Sequence, residues 1–211
     1  GLGIPADPLF RSRDTTRRLM YWQVYLHRTC VAYEKVLVNM LTRAKDLIRM
    51  GQDVFASPAL HYFISNDVDK AWFTSHPEAL AYYGELDDSD IWSAMKAWKH
   101  HDDKILSTLA TDMLDRRIFK VEVLEEEPTP ERMEELKQMI AQKMDIPYED
   151  AHYLMSLNTI QKDMYNVDDD SIAILYKNGE IKDISEASEL LNVQLLSKKI
   201  RKYYLCYQRF E

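Results

Sequence analysis

The chain has 211 residues, of which 46% are hydrophobic, so it is long and apolar enough for one large domain or a core with a smaller appendage. Its 35 Asp and Glu residues outnumber its 27 Lys and Arg residues, and the net charge of -8 argues against bulk nucleic-acid binding, which needs a basic surface. Neither an apolar run of about 18 residues nor a signal-peptide pattern occurs, so we expect no membrane insertion.

The chain has two cysteines, Cys30 and Cys206, and each lies in an apolar periodic segment. This placement predicts buried, reduced thiols of a cytoplasmic protein rather than a disulfide framework.

A long helical pattern runs from about Asp14 to Met50, and Gly51 follows its end. Apolar residues recur along it at spacings of three and four and predict one buried face: Leu19, Trp22, Leu26, Cys30, Tyr33, Leu37, Met40, Ala44 and Leu47. A second apolar line is formed by Val24, Val31 and Val38. A helix that is apolar on two sides is typical of the centre of a bundle or of an oligomer interface.

Shorter helices are predicted next, over about 57–66, 67–74 and 77–84. The segments LDDSDIWSAMKAW and DDKILSTLATDMLDRR then each combine acidic capping residues with an apolar face. Asp102 or Asp103 is the predicted cap of the second. The chain up to about residue 117 is therefore predicted to be all helical.

The period changes at IFKVEVLEEE, where apolar and charged residues alternate as in a strand. A helix over PTPERMEELKQMIAQKM is predicted to follow, and then strands over AHYLMSLNTI (151–160) and SIAILYKNGEIKDI, the latter with a hairpin turn at Asn178-Gly179. A helix over SEASELLNVQLL and a last strand over RKYYLCYQRF complete the prediction. The order β-α-β-β-α-β is that of the ferredoxin-like arrangement. The expected fold is thus a mainly α helical bundle over residues 1–117, followed by a small α+β subdomain over residues 118–211.

The segment WKHHDDKIL contains His101-Asp102, and a His-Asp pair supplies metal ligands in one group of phosphohydrolases. Adjacent residues of a helix point about 100° apart, so such a pair works only on a rigid buried element. Here the pair lies in a polar helix junction where an aspartate is needed as a cap. The sequence therefore predicts neither a metal ligand nor a catalytic residue in this chain.

His27, Arg28 and Lys35 are polar residues on a helix that is otherwise suited to burial. Two interpretations are open. These side chains meet an anion, such as a phosphate or an acidic partner, or they extend out of the bundle into solvent.

Two stretches, RRLMYWQVYLHRTCVAYEKVLVNMLTRAKDL and LDDSDIWSAMKAWKHHDDKILSTLATDMLDRRIFK, resemble the region downstream of the catalytic core in bacterial HD-domain phosphohydrolases. That group is similar to the deoxynucleoside triphosphate triphosphohydrolases. The resemblance implies that the ligands of a divalent metal lie before this chain begins. Because the chain starts with Gly1 rather than Met, we expect residues upstream of it.

In the triphosphohydrolases the long helix lines the nucleotide pocket with the pattern Arg-x-x-x-His-x-x-x-Tyr-Gln. Tyr33 matches the tyrosine, which stacks near the sugar, whereas Tyr25, Thr29 and Glu34 replace the other three residues. The resemblance therefore carries over Tyr33 alone as a substrate-binding residue. His27, Arg28 and Lys35 are candidates for phosphate contacts on chemical grounds only.

Two functions follow as expectations. In the first, the parent protein is a metal-dependent phosphohydrolase acting on nucleotides, and this chain supplies a pocket wall and homo-oligomer contacts but is inactive alone. In the second, the chain is a non-catalytic module for oligomerisation or ligand sensing. A ferredoxin-like tail hosts many unrelated tasks and does not decide between them.

Overall fold

The computed structural model describes Met20 and residues 27–162, 173–175, 179–183 and 200–210. Within these ranges, six α-helices come first: α1 (Arg28–Arg49), α2 (Pro58–Ser65), α3 (Lys70–Ser75), α4 (Glu78–Glu85), α5 (Asp88–Trp98) and α6 (Lys104–Leu114). The five shorter helices match those predicted from periodicity. The long helix predicted from about Asp14 to Met50 is not continuous, because the backbone of His27 is extended and α1 begins at Arg28. The predicted beginning of the long helix, before Met20, lies outside the described residues.

Helix α1 ends at a glycine because its last carbonyl groups need a reversal of the chain. The N–H of Gly51 bonds to the carbonyl of Ile48 at 2.9 Å, and the N–H of Gln52 bonds to that of Leu47 at 3.0 Å. This is the Schellman pattern, in which the residue after the cap is left-handed. Gly51 has φ of 80° and meets that need without a Cβ clash.

The predicted buried face of α1 is confirmed at Met40, Ala44 and Leu47, whereas Tyr33 and Leu37 are only half-buried. The rest of the buried face is formed by Val31, Ala32 and Val36, which the predicted face did not include. Of the second apolar line, Val31 is buried and Val38 is exposed. The expectation of a buried thiol is wrong for Cys30, which lies exposed in the first turn of α1. It is confirmed for Cys206, which lies in the central strand of the sheet, where burial raises the pKa of its thiol to about 11.

The second half contains β1 (Lys120–Leu124), α7 (Pro130–Met144), a 3-10 helix (Tyr148–Leu154), β2 (Met155–Lys162), β3 (Ala173–Leu175), β4 (Ile181–Asp183) and β5 (Ile200–Tyr207). Strands β1 and β2 flank β5, and both are antiparallel to it. They are therefore parallel to each other, and β1-α7-β2 forms a split βαβ unit. The residues 151–154, predicted as strand, form the end of the 3-10 helix instead.

Strands β3 and β4 form a separate antiparallel pair, in which Leu175 lies opposite Ile181. Gly179, at the predicted hairpin turn, has φ of 83°, and this part of the prediction is confirmed. The complete ferredoxin-like pattern is not confirmed, and its second predicted helix, over SEASELLNVQLL, lies outside the described residues. The established architecture is mainly helical with a small three-stranded antiparallel sheet near the C-terminus.

The buried residues form one apolar cluster that includes both halves of the chain. Helix α1 packs against α6, β1, β5 and the 3-10 helix. Asn39 of α1 fastens this contact, because its Nδ2 donates to the carbonyl groups of Tyr153 (2.8 Å) and Met155 (3.2 Å). None of the helices in the described ranges has the length and apolar character that a membrane crossing requires.

Candidate functional site

A pocket of about 540 Å³ opens where α1, α5 and the end of α6 meet. Its lining residues come from three parts of the chain: Tyr33, Trp92, Met113, Leu114 and Arg116. Two aromatic rings, two aliphatic side chains and one guanidinium therefore face a common space. The pocket is open to solvent, and its lining combines aromatic faces with one cationic group, which a small-molecule site can use.

Arg116 reaches this pocket from an unusual backbone position. The N–H of Arg116 bonds to the carbonyl of Met113 at 3.4 Å, and that of Arg117 bonds to the carbonyl of Asp112 at 2.8 Å. This repeats the pattern at the end of α1, but here a non-glycine residue takes the left-handed position, with φ of 59°. The conformation costs a side chain about 1 kcal/mol. An arginine kept at such a position suggests that its side chain has a role.

The guanidinium of Arg116 has no hydrogen bond or ion pair with any other part of the chain that the structure describes. Neighbouring cations are held more firmly: Arg117 bonds to Asp115 at 2.9 Å, and Lys99 lies 3.5 Å from the same carboxylate. An unpaired guanidinium next to exposed aromatic rings can bind a phosphate or carboxylate through paired N–H donors.

Of the four residues selected from the sequence, Tyr33 lies in the pocket wall and is half-buried. The other three do not line the pocket. His27 caps α1, where its Nδ1 accepts the N–H of Thr29 at 3.3 Å, and Arg28 is exposed beside it. The Nζ of Lys35 lies 3.1 Å from a carboxylate oxygen of Glu34. Burial raises the pKa of the Cys206 thiol, and the positive charge of Lys35 acts against that increase. Two positions along a helix turn about 200°, which separates Lys35 from Tyr33.

Sequence reasoning missed Trp92 and Arg116. Trp92 is half exposed on α5, a rare position for a tryptophan and a signal that the sequence alone does not give. Arg116 could have been suspected, since it takes the place after α6 where a glycine is the common choice.

The segment KHHDDK is a helix junction in which His101 and Asp103 have structural partners. The Nδ1 of His101 accepts the N–H of Asp103 at 2.9 Å, and its Nε2 lies 3.2 Å from the carbonyl of Asp53. This network assigns the proton to Nε2. Asp102 is exposed, and Asp103 caps α6 by accepting the N–H of Leu106 at 2.8 Å. Both ring nitrogens of His101 are thus engaged.

Asp103 also belongs to a buried ionic cluster. Arg43 of α1 forms two bonds to Asp103, at 2.7 and 3.2 Å, and a third at 3.1 Å to Asp150 of the 3-10 helix. Its guanidinium lies over the ring of Tyr153, 4.8 Å from the centroid. Burial would lower the pKa of Arg43, but the bonds and charge of Asp103, with Tyr153 and Asp150, hold that pKa above its ordinary value. The cluster joins α1, the cap of α6 and the 3-10 helix, so its role is structural.

A metal centre requires several His, Cys, Asp or Glu side chains around one point. No group of three or more such residues is arranged to hold a metal ion in the described ranges. The described residues therefore do not fit a divalent metal centre.

No family model matches the chain, whereas comparison with known proteins finds similar ones, among them the following two. The crystal structure of a phosphohydrolase from Bacteroides thetaiotaomicron superposes with a TM-score of 0.86 at 52% identity, over 93% of this chain and 49% of that one. The uncharacterized protein YwfO of Bacillus subtilis is 29% identical over 192 residues, which are 88% of this chain and 41% of that protein. The chain thus spans about half the length of the relatives it matches and shares its fold with part of a phosphohydrolase.

Proposed function

We propose that this chain is part of an HD-superfamily, metal-dependent phosphohydrolase that acts on nucleotides. The proposed reaction hydrolyses a deoxynucleoside triphosphate to the deoxynucleoside and triphosphate. The observation that carries the proposal is the similarity to a phosphohydrolase at 52% identity over 93% of this chain. At that identity, related chains commonly keep the same kind of chemistry, although the substrate class rests on the resemblance of Tyr33 and its helix.

The pocket supports a binding role for this chain. Tyr33 and Trp92 offer aromatic faces on which a base or sugar can pack, and Arg116 offers N–H donors for a phosphate oxygen. These residues would bind and orient the nucleotide and exclude water from one side of it. The proposal assigns them no proton transfer, since none of them is a base suited to activating water.

The metal of this class of enzyme supplies an activated water for attack on phosphorus. The residues of this chain that the structure describes do not fit such a centre. We therefore propose that its ligands lie elsewhere in the parent protein, that this chain contributes a pocket wall and homo-oligomer contacts, and that it has no hydrolytic activity alone.

The deciding experiment compares this chain with the full-length gene product on a panel of deoxynucleoside triphosphates with added Mn²⁺. We expect turnover by the full-length protein and none by the isolated chain. A full-length protein that hydrolyses no nucleotide with any divalent metal would refute the proposal. Turnover and bound metal in the isolated chain, both lost in His101→Ala, would instead return KHHDDK to the role of a metal site.

The left-handed position of Arg116 allows binding and stability to be separated. Arg116→Gly relieves the backbone strain, so we expect the free energy of unfolding to rise by about 1 kcal/mol. The same change removes the guanidinium, so calorimetry should show an affinity of the full-length protein for dATP that is lower by roughly tenfold or more.

Arg116→Lys is the matched control, because it keeps both a cation and the strained conformation. Its stability should equal that of the wild type, and its affinity should fall between the two. If Arg116→Gly binds dATP as well as the wild type does, the pocket is not the nucleotide site.

The second candidate function is the non-catalytic oligomerisation or ligand-sensing module. It is favoured by an aromatic surface on α2–α4, where Phe63, Phe73 and Tyr83 contact one another with ring centroids 6.1, 6.3 and 6.5 Å apart. Phe73 and Tyr83 are exposed, and a second copy of the chain is the occupant to test. Sedimentation equilibrium of the wild type and of Tyr83→Asp measures this. Self-association that is lost in the variant, in a full-length protein without hydrolytic activity, supports an oligomerisation module, and a wild-type monomer at all concentrations excludes it.

A further inference from the structure

A buried polar pair joins the end of β5 to α6, away from the pocket lining. Asp112 of α6 is 7% exposed, and Gln208, the residue after β5, is 6% exposed. The Nε2 of Gln208 donates to the Oδ2 of Asp112 at 2.6 Å, and the backbone N–H of Gln208 donates to the carbonyl of Leu154 at 2.9 Å. Gln208 is thus anchored by one backbone bond and one side-chain bond.

This pair has one donor group too few. An ionised carboxylate only accepts hydrogen bonds, and the Oε1 of Gln208 also only accepts. That Oε1 is buried and has no partner in the part of the chain that the structure describes. A buried acceptor without a donor is unfavourable, so a proton placed on Asp112 would supply the missing O–H.

The charges near Asp112 act on its pKa in opposite directions. Arg117 favours the ionised carboxylate and Asp115 opposes it, and those two residues are bonded to each other at 2.9 Å. Lys99 of α5 faces Asp115 at 3.5 Å. Burial is the largest influence and raises the pKa of Asp112 above its ordinary value, in spite of the lowering by Gln208 and Arg117.

We propose that Asp112 and Gln208 form a proton-operated clasp between α6 and the end of β5. With the proton in place, the carboxyl group donates to the Oε1 of Gln208 while Nε2 donates back to the carboxyl group. Ionisation releases the proton to solvent and leaves a carboxylate facing an unpaired carbonyl oxygen. Because Met113 follows Asp112 and lines the pocket, the clasp holds the chain next to the pocket rim. The inference does not depend on the proposed function.

The direction of the pH effect follows from the higher affinity of the folded state for this proton. A carboxyl group whose pKa is raised on folding contributes stability at low pH and loses it as pH rises through the folded-state pKa. Asp112→Asn places a permanent N–H donor at this position and can form two reciprocal bonds with Gln208. It therefore mimics the protonated clasp at every pH.

The test measures urea unfolding midpoints of the wild type and of Asp112→Asn from about pH 4 to about pH 8. We expect the midpoint of the variant to exceed that of the wild type at the upper end, and the difference to vanish toward the lower end. Asp115→Asn is the matched control: its pKa is lowered, chiefly by its bond to Arg117, so its substitution should lower the midpoint at neutral pH instead. A difference between Asp112→Asn and the wild type that does not change with pH overturns the proposal.

A second measurement uses the wild type, so it holds even if a variant fails to fold. A carbon-13 NMR titration of the Asp112 carboxyl group should show a midpoint above the ordinary value for aspartate.

A third measurement compares stability with and without Gln208. In Gln208→Leu, the stability gained from Asp112→Asn should shrink, because the reciprocal acceptor is gone. A midpoint at or below the ordinary value, or an undiminished gain in Gln208→Leu, contradicts the clasp.

Discussion

Asp103 bonds to two parts of the fold at once, and only one of them is visible in the sequence. Its position before an apolar run predicted a helix cap, shared with Asp102 as an alternative, and the cap is at Asp103. Its bonds to Arg43 could not be predicted, because the two residues are 60 positions apart and a lone arginine in an amphipathic helix is usually solvated.

Asp103→Ala should therefore be strongly destabilising. The change removes the cap of α6 and leaves a buried guanidinium with Asp150 as its remaining carboxylate, so we expect a loss of about 3–5 kcal/mol in the free energy of unfolding. Urea denaturation measures it. Asp102→Ala, at the exposed neighbour, should change stability by less than about 0.5 kcal/mol; equal losses in the two variants would contradict the assignment.

The lowered pKa of Asp103 leads us to expect that the protein loses stability in acid. Burial would raise the pKa of Asp103, but its bonds to Arg43 and to the N–H of Leu106 outweigh burial and lower that pKa. A carboxylate with a lowered pKa stabilises the fold above its ordinary pKa, and this contribution is lost as pH falls through the folded-state pKa. The free energies of unfolding of the wild type and of Asp103→Asn should differ by a constant amount down to about pH 4 and should converge below it. A difference that stays constant below that pH as well would contradict the prediction.

Substitution by alanine should destabilise the protein at one glycine of the helical region and stabilise it at another. Gly51 ends α1 with a positive φ, so Gly51→Ala should cost about 1 kcal/mol. Gly84 lies inside α4 without a positive φ, and an added Cβ would meet nothing within 4 Å. Gly84→Ala should therefore stabilise the protein by about 0.5–1 kcal/mol. Thermal unfolding of both variants measures the two effects, and a change in stability of the same direction in both would contradict the prediction.

Helices and single strands could be predicted from the sequence, whereas the pairing of strands could not. Periods of 3.6 and 2 appear within one segment, so α5, α6 and β1 are readable from their own residues. The position of β5 between β1 and β2 depends on contacts between segments about 80 residues apart in the chain. The pocket was missed for the same reason: Tyr33, Trp92 and Arg116 meet only after three helices have packed.

Contacts between the two halves of the chain bear on the domain boundary that was expected near residue 117. A fragment of residues 1–117 should not fold alone, because α1 would lose the contacts of Arg43 with Asp150 and of Asn39 with Tyr153 and Met155. Circular dichroism should show reduced helix and no cooperative thermal transition. A fragment with native-like cooperative unfolding would instead support two independent domains.

The central position of β5 has a consequence for synthesis on the ribosome. Strand β1 is translated about 80 residues before the strand that pairs with it, and β2 also flanks β5. The apolar sides of both strands therefore remain without a complete sheet until β5 has left the exit tunnel. Long-range pairings of this kind form slowly and expose strand edges while they form. The nascent chain should thus complete its sheet only after β5 has emerged, and a chaperone that shields strand edges would find its substrate in that interval.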